Sequence, residues 1–150
     1  MRKAGRPAPF AAALLCAQQR LAGGFLRTGS RRAPVLLLVV DDNRELCDAL
    51  AATLREAGHA TLRAYDAAGG IDALRRAQVA LALIEFHLPG PVSGVDVAKA
   101  AAAQGAQVIM MTGVSYGDDL LSRLPYHYLL KPVRPDQLLR LVSEVLPTAG

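Results

Sequence analysis

The 150-residue chain has few cysteines and no long apolar stretch. Its two cysteines, Cys16 and Cys47, form neither a metal-spaced pair nor a disulfide framework, which favours a reducing compartment. No apolar run approaches the roughly 18 residues of a transmembrane helix, so no membrane span is expected. The patterns GxGxxG and GxxxxGK[ST] are both absent, which argues against a nucleotide-binding fold. Together these absences predict a cytoplasmic protein.

Acidic side chains are absent from the first 34 residues, which carry seven lysines and arginines. Residues 35–150 carry ten basic and thirteen acidic side chains, a net charge of −3. The basic pI of about 9.4 therefore belongs to the N-terminal extension. This division weakens a nucleic-acid-binding function for the remainder of the chain.

The extension, residues 1–34, has three open interpretations. As a secretory signal it has only a seven-residue apolar core, Phe10–Cys16, and no convincing cleavage site. Phe10–Leu26 could form an amphipathic helix on an anionic surface. A flexible tail, or sequence added by a wrongly assigned start codon, is favoured because the pattern changes sharply at Val35. We therefore expect one folded domain over residues 35–150.

The domain opens with a continuous apolar run, Val35–Val40, which is typical of a parallel strand buried on both faces. A helix follows, with Asp42 or Asn43 as its cap and Glu45 in its first turn, where the helix dipole favours acid. Gly58 can end this helix in a left-handed conformation. The residues predicted to face inward are Leu46, Leu50, Thr53, Leu54 and Ala57.

The same alternation of strand and helix continues to the end of the chain. Further strands are predicted at Ala60–Ala64, Val79–Ile84, Gln107–Met111 and Tyr126–Leu130. Further helices are predicted at Ile71–Arg76, Val95–Ala103, Gly117–Leu124 and Pro135–Leu146, the last with Leu138, Leu141, Val142 and Val145 inward. Five such units predict a doubly wound α/β fold, with helices on both faces of a parallel sheet. Function in such folds collects at the carboxyl ends of the strands.

Chemically active side chains follow four of the five predicted strands. Asp41 and Asp42 follow the first, Glu85 follows the third, Thr112 follows the fourth and Lys131 follows the fifth. Clustered carboxylates suit a hard cation such as Mg²⁺, and the lysine would offset charge or pair with an anionic group. Structural alternatives stay open at this point: helix capping for the aspartates and the threonine, and a plain ion pair between Glu85 and Lys131.

Four short motifs carry a family resemblance: VVDD at 39–42, IEFHLPG at 84–90, MTG at 111–113 and YLLKP at 128–132. In this order and spacing, over about three quarters of the chain, the sequence resembles the CheY-like receiver domain of two-component response regulators. The resemblance implies a flavodoxin-like sheet of five parallel strands, (βα)5, in the order 2-1-3-4-5.

The resemblance also implies roles for individual residues. The implied Mg²⁺ ligands are Asp41, Asp42, Glu85 and the backbone carbonyl of His87. The implied phosphoryl-contact and switch residues are Thr112, Lys131 and Tyr128, although Tyr128 could also be an ordinary core residue. Lys131 would be joined to Pro132 by a cis peptide bond.

Glu85 stands at the phospho-acceptor position, where the family pattern has aspartate. Its additional methylene moves the carboxylate by about 1.5 Å, and a displacement near 1 Å can cost about a hundredfold in a positioned transfer step. Its single negative charge could partly imitate an acyl phosphate, which carries about two. We therefore predict a degenerate, phosphate-independent receiver with weakened Mg²⁺ binding. The alternatives are a conventional Mg²⁺-dependent acceptor that uses Glu85, or a ligand-binding flavodoxin-like module.

The expected partners are a histidine kinase or phosphotransfer protein and a downstream protein target. Little sequence follows Leu146, so a stand-alone receiver without a DNA-binding domain is expected, acting by protein contact and not as an enzyme. Only eighteen residues separate Thr112 from Lys131, and Pro125 interrupts them. This short connection predicts a trimmed fourth helix and altered homodimerisation, and it leaves the oligomeric state open.

Overall fold

The computed structural model describes residues 34–113 and 122–147. Its strands are β1 Leu36–Val40, β2 Ala60–Ala64, β3 Leu81–Glu85, β4 Gln107–Thr112 and β5 His127–Leu130. Its helices are α1 Arg44–Glu56, α2 Ala67–Arg76, α3 Gly94–Ala103 and α4 Pro135–Val145. Strands and helices alternate up to β4, as the periodicity of the sequence predicts.

The five strands form one sheet in the order β2-β1-β3-β4-β5, and every neighbouring pair is parallel. The predicted strand order is therefore confirmed. Parallel neighbours require a crossover between them, and the helices supply those crossovers. All five carboxyl ends consequently lie along the same edge of the sheet.

Two separate cores explain the unbroken apolar run of β1. Leu36, Leu38 and Val40 enter a core that includes residues of α2 and α3, whereas Leu37 and Val39 enter a core that includes residues of α1 and α4. Successive strand residues point to opposite faces, so a strand covered on both faces has no polar position. Every residue of β1 and β3 is buried, which confirms the doubly wound architecture.

Helix α1 begins as predicted, but its inward face differs. Asn43 is the cap, and its side chain accepts a hydrogen bond of 3.1 Å from the backbone N–H of Leu46. The residues buried on α1 are Cys47, Leu50, Ala51 and Leu54. Leu46 is partly buried and packs against this core, in agreement with prediction, whereas Thr53 is only half-buried and Ala57 is exposed, because the buried stripe is rotated toward Cys47. Gly58 ends the segment with a φ of +100°, as predicted.

Helix α2 begins at Ala67, four residues before the predicted start at Ile71. Gly69 and Gly70, which precede the predicted helix, both lie within the observed one, and Asp66 caps it. A Cβ atom on Gly70 would come within 3.1 Å of Val40. Glycine at this position therefore lets α2 lie close against the sheet, which outweighs its low helix propensity.

The last third of the fold agrees with prediction less closely. The predicted helix Gly117–Leu124 lies outside the described residues except for its last three, which form a turn. Leu138 and Val142 are buried on α4, whereas Leu141 and Val145 are only partly buried. The extension over residues 1–33 also lies outside the described part. Among the described residues, the helices lack the combined length and hydrophobicity that a membrane span requires.

Cys47 is expected to react with thiol reagents only when the domain opens. Its side chain is fully buried, with Sγ 3.6 Å from the carbonyl oxygen of Val39. Burial, together with the nearby charge of Asp41, raises the pKa of Cys47 to about 11 from 9.0. At mildly alkaline pH a Cys16→Ser variant, with Cys47 as its single thiol, should react at least about a hundredfold more slowly when native than when unfolded in urea.

The same thiol should weaken the fold at high pH. The Cys47 thiol ionises near pH 9.0 in the unfolded state and near pH 11 in the folded state. The stability contributed by Cys47 therefore falls as pH rises between these values. If a thiol reagent labelled Cys47 rapidly in a chain that keeps its full circular dichroism signal, the buried position of this side chain would be contradicted.

Candidate functional site

Three buried polar or charged side chains occur in residues 34–113 and 122–147, and all three lie at the carboxyl edge of the sheet. Asp41 follows β1, Glu85 ends β3 and Thr112 ends β4, with exposed fractions of 0%, 5% and 0%. The backbone N–H of Lys131, after β5, donates to the carbonyl oxygen of Thr112 at 2.8 Å. The parallel register thus brings together four of the residues that the sequence placed at the strand ends.

Lys131 joins the two buried carboxylates. Its Nζ donates to Oδ2 of Asp41 at 2.8 Å and forms an ion pair with Oε2 of Glu85. Burial by itself lowers the pKa of Lys131, but hydrogen bonds and charge from the two carboxylates outweigh burial, so the net shift is upward. The stability from this shift is therefore present at neutral pH and is lost as pH rises above 10.5 through the raised pKa.

The second oxygen of each carboxylate accepts a hydrogen bond from the backbone. The N–H of Asn43 donates to Oδ1 of Asp41 at 2.9 Å, and the N–H of His87 donates to Oε1 of Glu85 at 3.1 Å. Each N–H belongs to the residue two positions after the acid. Both carboxylates are therefore held by the backbone that directly follows their own strand. Three of the four carboxylate oxygens therefore accept a hydrogen bond, and the fourth, Oε2 of Glu85, is held by its ion pair with Lys131.

Asp42 and the imidazole of His87 lie outside this arrangement. Asp42 is exposed, and the adjacent Asn43, not either aspartate, caps α1. The ring of His87 is also exposed and packs edge-on against Phe86, with 4.8 Å between ring centroids. The metal role of the His87 carbonyl stays a prediction.

The chemistry of the donors suits Mg²⁺, but their arrangement does not. Carboxylate oxygens are the ligands that this ion prefers. However, Asp41 and Glu85 direct one oxygen each at Lys131 and the other at a backbone N–H. In the part of the chain that the structure describes, no three aspartate, glutamate, histidine or cysteine side chains are grouped so that they could hold a metal ion.

Thr112 and Tyr128 lie on the two strands nearest Lys131. Thr112 is buried at the end of β4 and pairs in register with Leu130 of β5. Tyr128 is 38% exposed, so its interpretation as an ordinary core residue is wrong. Its switch role stays a prediction. The Lys131–Pro132 peptide bond is cis, as the resemblance implies.

Sequence reasoning missed two features at the start of α3, which lies against the end of β3. A capping box links Ser93 to Asp96 at the start of α3, and hydrogen bonds from the Ser93 N–H and hydroxyl hold the pKa of Asp96 below its usual range. The Ser-x-x-Asp spacing could have revealed it. A Cβ on Gly94 would lie 2.2 Å from the carbonyl oxygen of Glu85, so only glycine fits this contact. The sequence contains no signal for the second feature.

A surface network beside the site was also missed. The Tyr65 hydroxyl donates to Asp48 at 2.7 Å, Arg63 pairs with Asp48 at 2.9 Å, and the Arg44 guanidinium lies 4.3 Å from the Tyr65 ring centroid. The Tyr65 hydroxyl and, next, Arg63 lower the pKa of Asp48. These contacts fasten α1 to the β2 side of the sheet. Because Asp48 is 15 and 17 residues from its partners, local sequence patterns could not show them.

Comparison with known proteins gives one consistent result. Residues 37–143 match the family model described as the response regulator receiver domain. The chain is 31% identical over 106 residues to the DNA-binding response regulator MtrA of Mycobacterium tuberculosis (strain ATCC 25618 / H37Rv), an alignment covering 68% of this chain and 46% of MtrA. The chain spans about half the length of the curated relatives it matches.

Solved structures show the same similarity. A CheY-like receiver domain protein from Methanospirillum hungatei JF-1 is 28% identical, with a TM-score of 0.66 over 75% of this chain and 93% of that chain. The Vibrio cholerae chemotaxis protein CheY4 is 22% identical, with a TM-score of 0.67 over 76% of this chain and 100% of that chain. At this identity CheY4 supports the fold alone.

Proposed function

This chain belongs to the response regulator receiver domain family of two-component systems, and on that premise we propose that it signals by protein contact without phosphate on Glu85. The proposed partners are a histidine kinase or phosphotransfer protein and a downstream protein target. The role is one of binding and not of enzymatic turnover, and we expect it in the cytoplasm.

The observation that carries the proposal is the set of contacts around Glu85. One carboxylate oxygen is paired with Lys131, and the other accepts from the N–H of His87. A glutamate side chain is longer than aspartate by one methylene, about 1.5 Å. Phosphoryl transfer depends on in-line positioning, so a carboxylate shifted and engaged in this way is a poor acceptor.

The charge of Glu85 supports the same proposal. A phosphorylated aspartate would present negative oxygens beside Lys131 and the end of β4, further from the backbone than an aspartate carboxylate reaches. Glu85 extends a carboxylate beyond the reach of aspartate, and Lys131 holds it. The charge of one carboxylate is smaller than that of a phosphoryl group. The proposed consequence is a domain held toward the signalling conformation without a phosphodonor.

The alternative is a conventional acceptor that uses Glu85 with Mg²⁺. One observation favours it: Glu85 lies at the end of β3, in the expected acceptor position and beside Lys131. This alternative requires Lys131 to release the carboxylate during the reaction. Phosphorylation distinguishes the two functions directly.

We expect no phosphorylation of the wild-type chain by acetyl phosphate and Mg²⁺. A Glu85→Asp variant, with the shorter carboxylate, should gain a phosphoryl mass shift, with a labelling rate about a hundredfold above the upper bound that the wild type sets. Intact-protein mass spectrometry at several time points measures both rates. Glu85→Gln is the matched control, since it keeps the length of Glu85 and removes its nucleophilic oxygen. A wild-type phosphoryl shift that maps to Glu85 would overturn phosphate independence.

A further inference from the structure

The buried acid pair already contains a cation. Lys131 Nζ contacts Asp41 Oδ2 and Glu85 Oε2, while the remaining carboxylate oxygens accept backbone hydrogen bonds from Asn43 and His87. The Lys131 side chain is only 22% exposed, so its charge is little screened by water. The ammonium group therefore lies where the charges of the two acids converge.

A divalent ion at this pair would have to displace that ammonium group. Mg²⁺ requires oxygen ligands in near-octahedral geometry at short range, and both oxygens directed between the acids are engaged by Lys131. Two cations close together in a partly buried site repel strongly. The third acid, Asp42, is exposed and belongs to no three-ligand group within the described ranges.

We infer that Lys131 is the resident cation of the Asp41–Glu85 pair and that it excludes divalent metal ions from this site. The inference deepens the proposed phosphate-independent function and rests on it, because a receiver that needs no phosphoryl group needs no metal ion to position one. Lys131 then has two effects: it neutralises the acids in the folded chain, and it makes the pair unavailable to Mg²⁺. Removing its charge should uncover a latent metal site.

The first test is Mn²⁺ binding to the full 150-residue chain, followed by the electron paramagnetic resonance signal of free Mn²⁺. No phosphodonor is present. Lys131→Met should bind one Mn²⁺ at least about tenfold more tightly than the wild type. The interaction energies measured for close charge pairs correspond to a factor of about ten or more in affinity. Lys99→Met is the matched control: it removes an exposed ammonium from α3 and should bind like the wild type. Equal affinity of the wild type and Lys131→Met would overturn the inference.

A second measurement does not depend on whether the variant folds. In the wild-type chain, Mn²⁺ should leave the amide resonances of Asn43 and His87 unbroadened, or broaden them no more than those near exposed acids. Selective broadening of these two amides would place a metal at the pair and overturn the inference. Phosphorylation of Glu85 without such broadening would overturn the proposed function and leave this inference standing, so the two failures are distinguishable.

Discussion

Replacing Lys131 by methionine is expected to lower the free energy of unfolding by about 3 kcal/mol, the lower end of the range for removing one partner of a buried ion pair. The lower end applies because the Lys131 side chain is partly exposed, whereas Asp41 and Glu85 are almost completely buried. Without the ammonium group, two buried carboxylates would remain without a compensating charge. Urea unfolding in the presence of a chelator, followed by circular dichroism at neutral pH, measures the loss.

Two variants make this result specific to the pair. Lys99→Met removes a surface lysine and should change the free energy of unfolding by no more than about 0.5 kcal/mol. The double variant Glu85→Gln/Lys131→Met removes opposite charges together, so its cost should be smaller than the sum of the two single costs. Strict additivity, or a Lys131→Met chain as stable as the wild type, would show that the ion pair contributes little.

Replacing Gly94 by alanine is expected to lower the free energy of unfolding by about 1–3 kcal/mol, and by more if the chain cannot adjust. The new Cβ would lie 2.2 Å from the carbonyl oxygen of Glu85 and 2.8 Å from that of Phe86. Both are backbone atoms, so relief requires α3 to move away from the end of β3. The same urea experiment measures the change.

Gly113→Ala is the matched comparison for this prediction. Its Cβ would meet only the side chain of Lys131, at 3.7 Å, which is an ordinary contact. This variant should be close to neutral, with a small gain if restriction of the unfolded chain dominates. If the two alanine variants lose the same stability, the close approach at Gly94 is not the cause.

The strands of the sheet were predictable because local sequence patterns identify them. An unbroken apolar run such as that of β1 is compatible with burial on both faces, and acids directly after it mark the strand end. The order 2-1-3-4-5 came from family resemblance and not from such patterns. Local patterns failed where tertiary contact overrides propensity: glycines lie inside α2 because Gly70 touches the sheet, and the buried face of α1 includes Cys47.

The candidate site was predictable as a set of residues but not as a geometry. The position of Glu85, Asp41 and Lys131 at neighbouring strand ends follows from the parallel topology. The backbone donors Asn43 and His87 do not, because their role depends on how each acid turns over its own strand end. Asp42 was expected among the metal ligands but is exposed. Its exposure depends on where the chain turns into α1, directly after it.

The two cores on either side of the sheet also bear on how this domain can vary. Every position of β1 and β3 is buried, so an exchange in these strands must keep both volume and apolar character. The one charged residue within them, Glu85, lies at the tip of β3 and contacts groups that follow the sheet, not the core. The side chain at this position can therefore be aspartate, glutamate or glutamine while the strand that supports it stays the same. The signalling chemistry can therefore vary at the end of β3, while the buried positions of β1 and β3 keep the domain folded.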